Sequence, residues 1–504
     1  MSTLQERLAA LSPARLRGVR RGIEKESLRA QPDGQLALTP HPAALGSALT
    51  HPHITTDFSE SQLELITGVH ADADGCLQEL NEIHQAVVRS IGDEVLWASS
   101  MPCNLPADEA IPIGRYGTSN VGRAKTVYRM GLSYRYGRRM QTISGIHYNF
   151  SVPGVGSDGY FALIRNFRRR SWLLLYLFGA SPAVCSSFVA GRRHELQELA
   201  PGTMYSPYGT SLRMGRLGYQ SEAQASLAVS YNSLKSYTAS LFDALTKPYP
   251  AYEETGILKN NEYLQLNTTL LQIENEFYGT IRPKRRIKRG ERPLHALRER
   301  GVEYVEVRLM DLDPFIAIGI GASTMRFLDV FLLHCLLDES PEDTPEEIAE
   351  LSRNQQTVAL RGREPGLVLE SKNKKITLAA WGRQLLDACQ PIAAALDATH
   401  GGSAYRDALM GAAVTISNAN ATPSARVLHA MARNHGNAYI RFALAESLLH
   451  AGSLRGLPLG PEVKQRFERF AAESLAEQQR LEAADKVDFE TFRRQYLSPD
   501  LLKV

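Results

Sequence analysis

The chain has 504 residues, of which 43% are hydrophobic and 22% are charged, with 38 Gly and 25 Pro. These values are typical of globular proteins, and they exclude disordered, collagen-like and low-complexity classes. The 57 Lys and Arg residues nearly balance the 54 Asp and Glu residues, leaving a net charge of +3, so bulk charge gives no indication of nucleic-acid or membrane binding.

Periodicity predicts helices at both ends of the chain and a mixed α/β region between them. Helical patterns cover residues 1–20 and about 325–504, and the segment Val463–Val487 keeps apolar residues at a spacing of three to four. Strand-like alternation marks five segments, which are Gly22–Leu28, Gln62–Thr67, Ile143–Val152, Tyr263–Leu271 and Tyr304–Met310.

Two features bear on where the protein works. The five cysteines are widely spaced and include no CxxC pair, which favours a reducing compartment and argues against a structural zinc site. The N-terminal segment lacks the apolar stretch of a signal peptide. The most apolar run, Trp172–Ala180, is only about half as long as a membrane span. We therefore expect a soluble, cytoplasmic protein.

Acidic side chains first cluster in the predicted strand at residues 22–28. Alternation places Glu24 and Glu26 on one face, with Ile23 and Lys25 on the other. Two neighbouring carboxylates repel each other unless a cation neutralises them or one is protonated. The motif therefore fits either a metal site or a solvated edge strand.

A second acidic cluster spans residues 57–65. As a helix, this segment would line Asp57, Glu60 and Glu64 along one face. As a turn leading into a strand, it would place Glu64 opposite its two leucine neighbours. Either arrangement could be an acidic helix cap or a metal site, and both alternatives remain open at this stage.

Two further strands carry chemically active residues. Alternation puts Tyr304, Glu306 and Arg308 on one face, where the acid and the arginine could form a structural ion pair or hold a metal and a phosphate. His147 shares a strand face with Asn149, and it could be a packed residue or a ligand. Carboxylates together with one imidazole suit Mg²⁺ or Mn²⁺ better than copper or a structural zinc.

Common nucleotide-binding motifs are absent. The segment 117–124 approaches the phosphate-cradling loop, but Arg123 and Ala124 replace its Lys-Ser/Thr pair, and neither a dinucleotide fingerprint nor HExxH occurs. Residues 282–289 contain six positive side chains in eight. This run could be a solvated loop, a phosphate clamp or an RNA contact.

Ten segments in chain order match the pattern of one family. They are Arg21–Arg29, His41–Thr50, Ile54–Glu60, Tyr116–Asn120, Met140–Phe150, Leu177–Pro182, Thr210–Arg213, Leu271–Glu276, Ile281–Lys284 and Glu303–Arg308. With this ordered set the sequence resembles the proteobacterial glutamate–cysteine ligases (γ-glutamylcysteine synthetases). The resemblance covers nearly the whole chain and is weakest after about residue 340.

The resemblance implies an α+β, glutamine-synthetase-like catalytic fold. In that fold a curved, mainly antiparallel sheet holds the active site, with surrounding helices and a helical C-terminal part. We expect a single catalytic unit over residues 1–504, with a mixed body at about 15–325 and a mainly helical part at about 326–504. The implied reaction is ATP-dependent ligation of the L-glutamate γ-carboxylate to the L-cysteine amine through a γ-glutamyl phosphate. Its products are γ-glutamylcysteine, ADP and phosphate, and it is the first step of glutathione synthesis.

The resemblance also implies roles for individual residues. Two or three Mg²⁺ ions are expected, with Mn²⁺ as an alternative; the ligands are Glu26, Asp57 and Glu64 for one ion, and Glu24, His147 and Glu306 for the ion or ions nearer the phosphates. The catalytic set is Glu306 with Arg308 and Arg213, whose guanidinium groups meet the transferred phosphoryl group, and Arg282 and Lys284 bind ATP. The cysteine pocket comprises Phe58, Tyr128, Arg129, Leu132, Gln141, Tyr219 and Tyr278.

One departure concerns redox regulation. Some family members carry a longer segment after the His147 strand, with a cysteine that can pair with the counterpart of Cys103. Here the segment Ser151–Tyr160 is short and contains no cysteine. This difference argues against regulation through that disulfide.

The expected partners are small molecules. They are glutamate, cysteine, ATP and, as feedback inhibitor, glutathione, with no nucleic acid or membrane and with a monomeric state. Two alternatives remain: a related carboxylate–amine ligase with a different amine acceptor, which only the pocket would distinguish, and an RNA-binding protein that uses the 282–289 run, whose affinity would fall steeply with salt.

Overall fold

The fold is described from a computed structural model, which covers residues 3–218, 222–225, 227, 229–288, 290–372 and 374–503. The strands are β1 (Arg20–Ala30), β2 (Ile54–Thr56), β3 (Gln62–Ile66), β4 (Val95–Leu96), β5 (Ile146–Ser151), β6 (Ala183–Cys185), β7 (Gln197–Ala200), β8 (Thr203–Tyr205), β9 (Leu258–Lys259), β10 (Glu262–Tyr263), β11 (Ile281–Lys284), β12 (Tyr304–Met310), β13 (Val368–Ser371) and β14 (Lys374–Thr377).

Helices occur along the whole described chain and make up most of the C-terminal part. They are α1 (Leu4–Ala9), α2 (Pro13–Arg17), α3 (Ala73–Ser90), α4 (Asn120–Tyr136), α5 (Ser157–Arg170), α6 (Trp172–Phe178), α7 (Ser186–Val189), α8 (Glu222–Ala225), α9 (Leu234–Thr246), α10 (Pro250–Thr255), α11 (Pro293–Arg300), α12 (Ala322–Leu337), α13 (Pro345–Arg361), α14 (Leu378–His400), α15 (Ala404–Ser417), α16 (Pro423–Asn434), α17 (Tyr439–Gly456), α18 (Pro461–Ala484) and α19 (Phe489–Tyr496).

One antiparallel sheet organises the molecule. Its strands follow the order β11-β12-β5-β1-β3-β2, and β4 pairs with the end of β1. Every neighbouring pair in this order is antiparallel. The predicted antiparallel sheet is therefore confirmed, and four of the five predicted strands lie in it.

The back face of the sheet forms the main hydrophobic core. Ile23 on β1, Tyr148 on β5 and Val307 on β12 are buried in one cluster with residues of α3, α5 and α12. A buried ion pair of 2.9 Å between Arg21 and Asp329 of α12 ties the sheet to these helices, and the Tyr148 hydroxyl donates to Asp329 at 2.8 Å. Since strand side chains alternate between faces, the residues between these apolar positions point to the front.

The prediction of a strand at Tyr263–Leu271 is wrong. Only Glu262–Tyr263 is a strand, because side chains satisfy the following backbone instead of a neighbouring strand. The Gln272 side-chain oxygen Oε1 accepts from the Leu266 amide at 2.9 Å, and the Arg135 guanidinium donates to the Asn267 backbone carbonyl at 2.8 Å. The segment is thus an irregular loop held from outside.

The other element predictions hold with shifted ends. The strand predicted at Ile143–Val152 begins at Ile146, and the predicted helix at Val463–Val487 corresponds to α18. The C-terminal part is helical as predicted, apart from the β13–β14 hairpin. No described helix has both the length and the apolar character needed to cross a membrane. All five cysteines are buried with free thiols.

Candidate active site

The central strand β1 brings four of the predicted ligands face to face. Glu24 lies directly opposite His147 on β5, and Glu26 lies directly opposite Glu64 on β3. Strand pairing therefore settles the open question about residues 57–65: Asp57 follows β2, and Glu64 belongs to a strand rather than to a helix. The ladder alone brings these side chains together, because opposed residues are about 5 Å apart.

Strand β12 extends this polar face. Glu306 lies opposite Asn149 on β5 and opposite Arg282 on β11. Between Val307 and Met310 the pairing with β5 shifts by one residue. Such a bulge re-aims side chains and is common next to active sites. Arg308 lies within this irregularity.

Glu24, His147 and Glu306 form the tightest group of ligand atoms on the sheet. One ligand atom from each lies within 4.8 Å of the others. The Nδ1 atom of His147 is 3.2 Å from the Glu24 carboxylate and 3.9 Å from that of Glu306. The Asn149 amide donates to the other Glu24 oxygen at 3.0 Å. A carboxylate–imidazole–carboxylate set of this size can hold a divalent cation.

Two cations border this group. Lys284 Nζ is 3.2 Å from one Glu306 oxygen, and an Arg308 Nη1 atom is 3.1 Å from the other. Although burial opposes ionisation, these two charges hold the pKa of Glu306 well below its usual value. Burial and then the Arg308 charge lower the pKa of His147. The group therefore presents ionised Glu306 beside a neutral imidazole, which is the form that binds metal.

A second acidic group, formed by Glu26, Asp57 and Glu64, lies toward β3 and β2, on the same sheet face but away from β5. Burial, followed by the charge of Asp57, raises the pKa of Glu26 to about 8. Burial, followed by the charges of Glu24, Asp57 and Glu26, raises the pKa of Glu64 well above its usual value. Unlike the first group, Glu26, Asp57 and Glu64 do not form a described cluster with atoms within 4.8 Å. Carboxylates that repel one another in a buried place fit a site for a divalent cation.

The Arg213 guanidinium packs against Gly145, the residue that precedes β5. Arg213 is 1% exposed, and its Nη2 atom donates to the Arg308 carbonyl at 2.8 Å. The Gly145 amide donates to a Glu26 oxygen at 2.7 Å. The structure thus brings Arg213, Arg308 and Glu26 together, with Arg213 supporting the backbone of the Arg308 bulge.

The residues predicted for the cysteine pocket come together beside the second acidic group. Phe58, Leu132 and Tyr128 belong to one small hydrophobic cluster. The Gln141 amide donates to the Tyr278 hydroxyl at 2.7 Å.

The two remaining members of the predicted pocket are Arg129 and Tyr219. Arg129 is bonded to backbone: its guanidinium donates to the Asp57 carbonyl and, at 3.3 Å, to the Thr56 carbonyl. It therefore fixes the chain that carries Asp57. Tyr219 lies outside the described residues.

The described part of the basic run, residues 282–288, is not one continuous surface. Arg282 is buried and donates to the carbonyls of Asn275 and Phe277, and Lys284 faces Glu306. Arg286, by contrast, is exposed and lies 3.2 Å from Glu303. The described residues 282–288 therefore divide into an inward strand and an outward loop, and they do not form the continuous basic surface that RNA binding needs.

Sequence reasoning missed residues that support the site. Asn149 was placed beside His147 by alternation, but its bond to Glu24 was not predicted. Gly145 and Glu276 gave no signal, because close backbone approach and buried loop pairing leave no periodic pattern. The sequence does carry a signal for Asn149: it lies two residues after the candidate ligand His147 and therefore on the same strand face.

The fold and donor set define a class of protein. An antiparallel sheet presents on one face carboxylates and an imidazole that could hold divalent cations, next to an arginine and a lysine whose charges suit phosphate. This architecture belongs to the glutamine-synthetase-like carboxylate–amine ligases. Comparisons with known proteins narrow the class.

A family profile described as glutamate-cysteine ligase matches residues 6–358. The curated glutamate–cysteine ligase of Azotobacter vinelandii is 50% identical over 98% of this chain and 98% of its own. That of Alcanivorax borkumensis is 48% identical over 98% of this chain and 99% of its own. The chain belongs to the glutamate–cysteine ligase family.

Solved structures agree with this assignment. The glutamate–cysteine ligase of Francisella tularensis in complex with AMP superposes with a TM-score of 0.90 at 37% identity, covering 95% of this chain and 97% of that one. A bifunctional glutathione synthetase from Pasteurella multocida superposes with a TM-score of 0.69 at 25% identity, covering 90% of this chain and 55% of that one.

Proposed function

We propose that this chain joins the γ-carboxylate of L-glutamate to the amine of L-cysteine at the expense of ATP, giving γ-glutamylcysteine, ADP and phosphate. One observation carries the proposal: the Glu24–His147–Glu306 group and the cations Lys284 and Arg308 lie side by side on one sheet face. Family membership supports the choice of substrates. This step opens glutathione synthesis.

The acidic residues would hold two or three divalent ions, with Mg²⁺ favoured and Mn²⁺ as an alternative. Glu24, His147 and Glu306 would bind the ion or ions nearer the phosphates, and the separate group Glu26, Asp57 and Glu64 would bind another. When bound, such ions neutralise phosphate charge and align the reacting oxygens. The raised pKa values of Glu26 and Glu64 support this role, since a cation relieves their repulsion.

Phosphoryl transfer to the glutamate carboxylate requires positioning and charge neutralisation more than covalent help. Arg308 would meet the transferred phosphoryl group with its planar fork of donors, and Lys284 would meet the nucleotide phosphates. Arg213 would hold Arg308 through its carbonyl. Arg282, for which the resemblance implies a role in ATP binding, would contribute positive charge from its position on β11 opposite Glu306.

The amine acceptor would bind among Phe58, Tyr128, Leu132, Gln141 and Tyr278, with Tyr219 as a further member by resemblance. Aromatic walls suit a thiol side chain, because sulfur packs favourably against ring edges. The cysteine amine would then attack the γ-glutamyl phosphate and release phosphate.

The proposal also covers domain organisation, cellular location, inhibition and oligomeric state. The whole chain would act as one catalytic unit, which is supported by a hydrophobic cluster that contains both β1 and C-terminal helices such as α14 and α15. Five free, buried thiols support a reducing, cytoplasmic location. Glutathione would inhibit by occupying the glutamate and cysteine subsites, and the enzyme would work as a monomer.

The test is ADP release by the purified full chain with Mg²⁺, ATP and glutamate. Cysteine, 2-aminobutyrate, glycine and ammonia are added in turn, and the product mass is recorded. Release that depends on cysteine, with the mass of γ-glutamylcysteine, supports the proposal. Release with another amine keeps the chemistry and changes the acceptor, whereas no release with any amine refutes the proposed reaction.

A matched pair of variants ties the activity to the sheet face. Glu306→Gln removes a ligand charge from the metal group and should lower kcat by at least about 10²-fold. Glu303→Gln changes an outer carboxylate that pairs with exposed Arg286, and it should retain near-normal kcat. Equal activity of the two variants would contradict the placement of Glu306 among the ligands.

A further inference from the structure

Behind the aromatic pocket lies a buried carboxylate that no functional role yet explains. Glu276 is fully buried and sits in the irregular segment 264–280 between β10 and β11. One of its oxygens accepts from Arg135 at 2.9 Å and from the Tyr136 hydroxyl at 2.8 Å. The other accepts from the Gln272 amide at 2.7 Å. The carboxylate thus joins the end of α4 to this loop.

A short chain of bonds runs from Glu276 to Tyr278. The Gln224 side-chain amide donates to the Tyr136 hydroxyl at 3.0 Å and to the Glu276 carbonyl at 2.8 Å. Its oxygen accepts from the Tyr278 backbone amide at 3.0 Å. The rings of Tyr136 and Tyr278 meet edge to face with centroids 5.5 Å apart. The Tyr278 backbone is therefore bonded to Gln224, and its ring packs against Tyr136. Both Gln224 and Tyr136 are hydrogen-bonded to Glu276.

The same carboxylate reaches the opposite wall of the pocket. Gln272, whose backbone amide donates to Glu276, donates its side-chain amide to the Tyr128 carbonyl at 3.2 Å. Burial, followed by the negative charge of Glu276, raises the pKa of both Tyr128 and Tyr136, which is consistent with this closeness. Tyr128 on α4 and Tyr278 on the loop are therefore both linked to the Glu276 carboxylate.

We infer that Glu276 is a positioning residue that sets the distance between Tyr128 and Tyr278, and through it the affinity for the amine acceptor. This inference rests on the proposed function, in which these two tyrosines form the cysteine pocket. Among the described residues, the Glu276 carboxylate bonds to Arg135, Tyr136 and Gln272, and not to the Glu24–His147–Glu306 group, Lys284 or Arg308. Loss of this carboxylate should therefore act on acceptor binding rather than on phosphoryl transfer.

The chain offers a matched control two residues away. Glu274 is also a buried carboxylate of the same loop, and it pairs with Arg292 at 2.7 Å. It accepts from the Leu294 amide at 3.1 Å and so faces α11 instead of the pocket. Glu274→Gln should cost stability much as Glu276→Gln does, because each removes the charge of a buried ion pair.

The experiment compares Glu276→Gln, Tyr136→Phe and Glu274→Gln with the unmodified chain. Glu276→Gln and Tyr136→Phe should raise the KM for cysteine about tenfold, as expected for the loss of one buried hydrogen bond. The KM values for ATP and glutamate and the kcat should stay within about threefold. Glu274→Gln should leave all four constants unchanged. Tyr136→Phe is the milder change and keeps the test valid if Glu276→Gln does not fold.

A second comparison separates positioning from general weakening. In a Tyr278→Ala background, Tyr136→Phe should add less than about twofold to the KM for cysteine, because variants that act through one group are not additive. Parallel increases in the KM for ATP and cysteine, or fully additive effects, would overturn the inference.

Hydrogen exchange supplies a readout that does not depend on activity. The Tyr278 amide should be protected in the unmodified chain and in Glu274→Gln, and it should exchange faster in Tyr136→Phe and Glu276→Gln. If the chain releases no ADP with cysteine, the proposed function fails, while this exchange still decides whether Glu276 holds Tyr278. Unchanged protection in both pocket-side variants would overturn the inference.

Discussion

Gly145→Ala is the substitution whose effect follows most directly from the geometry. A Cβ atom at position 145 would lie 2.0 Å from Arg213 Nη2 and 2.3 Å from its Cζ. Ordinary contact begins at 3.4 Å, so the guanidinium must retreat by about 1.4 Å. Arg213 is fully buried and donates to the Arg308 carbonyl, and its displacement therefore moves the support of the Arg308 bulge.

The expected loss is large for one added methyl group. A displacement of about 1 Å in a positioning group can cost about 10²-fold in rate, and we expect kcat for ADP release to fall by that amount. Overpacking should also lower the free energy of unfolding by about 1–3 kcal/mol. Steady-state ADP release and chemical denaturation measure the two effects independently.

Two controls make this prediction refutable. Gly411→Ala adds the same methyl group to α15, where nothing lies within 4 Å, so it should keep full activity and gain up to about 1 kcal/mol. In an Arg213→Ala background the clash is removed, and Gly145→Ala should lower kcat no further. Wild-type kcat in Gly145→Ala, or an undiminished further loss in the Arg213→Ala background, would refute the reasoning.

Three further predictions concern the phosphate, acceptor and metal sites. Arg308→Lys should lower kcat about 10²-fold, because a single ammonium cannot reproduce the guanidinium fork; an unchanged kcat in the ADP assay would contradict a phosphoryl-facing role. Tyr278→Ala should raise the KM for cysteine about ten- to a hundredfold, from the loss of a buried aromatic contact; an equal rise in the KM for ATP would place Tyr278 outside the pocket. Calorimetric Mg²⁺ titrations should show affinity increasing by up to about tenfold per pH unit as the pH rises toward 8, because Glu26, with its pKa raised to about 8 by burial and Asp57, must lose a proton to bind. A pH-independent affinity would exclude Glu26 from the ligands.

Strand periodicity was enough to predict much of the candidate site. Glu24, Glu26, Glu306 and Arg308 were placed on their faces by alternation alone, and the structure keeps those faces. What alternation cannot give is the pairing between strands, since Glu24 meets His147 across more than a hundred residues of sequence. The family resemblance implies that Glu24 and His147 share a ligand set, but only the pairing of β3 with β1 decides between the helix and strand alternatives for residues 57–65.

The loop behind the pocket shows where sequence reasoning fails. Residues 263–271 alternate like a strand, yet no strand in the described part of the chain continues the ladder beyond Tyr263. Side chains such as Gln272 and Arg135 satisfy its backbone groups instead. Such capture depends on residues of α4 that are distant in sequence, so no local pattern announces it.

The two faces of the sheet constrain each other. A slip of one residue in β1 would turn Glu24 and Glu26 into the core beside α3 and would bring Ile23 to the front. Burying two unpaired carboxylates in an apolar core is strongly unfavourable, so the hydrophobic back face fixes the register that brings Glu24 to His147 and Glu26 to Glu64. The same argument applies to β12, where buried Val305 and Val307 hold Glu306 toward the front. Only beyond Val307 does the pairing with β5 slip. There the Arg308 amide donates to the Thr280 carbonyl at 2.9 Å, and the buried Arg213 guanidinium donates to the Arg308 carbonyl at 2.8 Å. The geometry of the Glu24–His147–Glu306 group is therefore set by the core, whereas the position of Arg308 depends also on its contacts with Thr280 and Arg213.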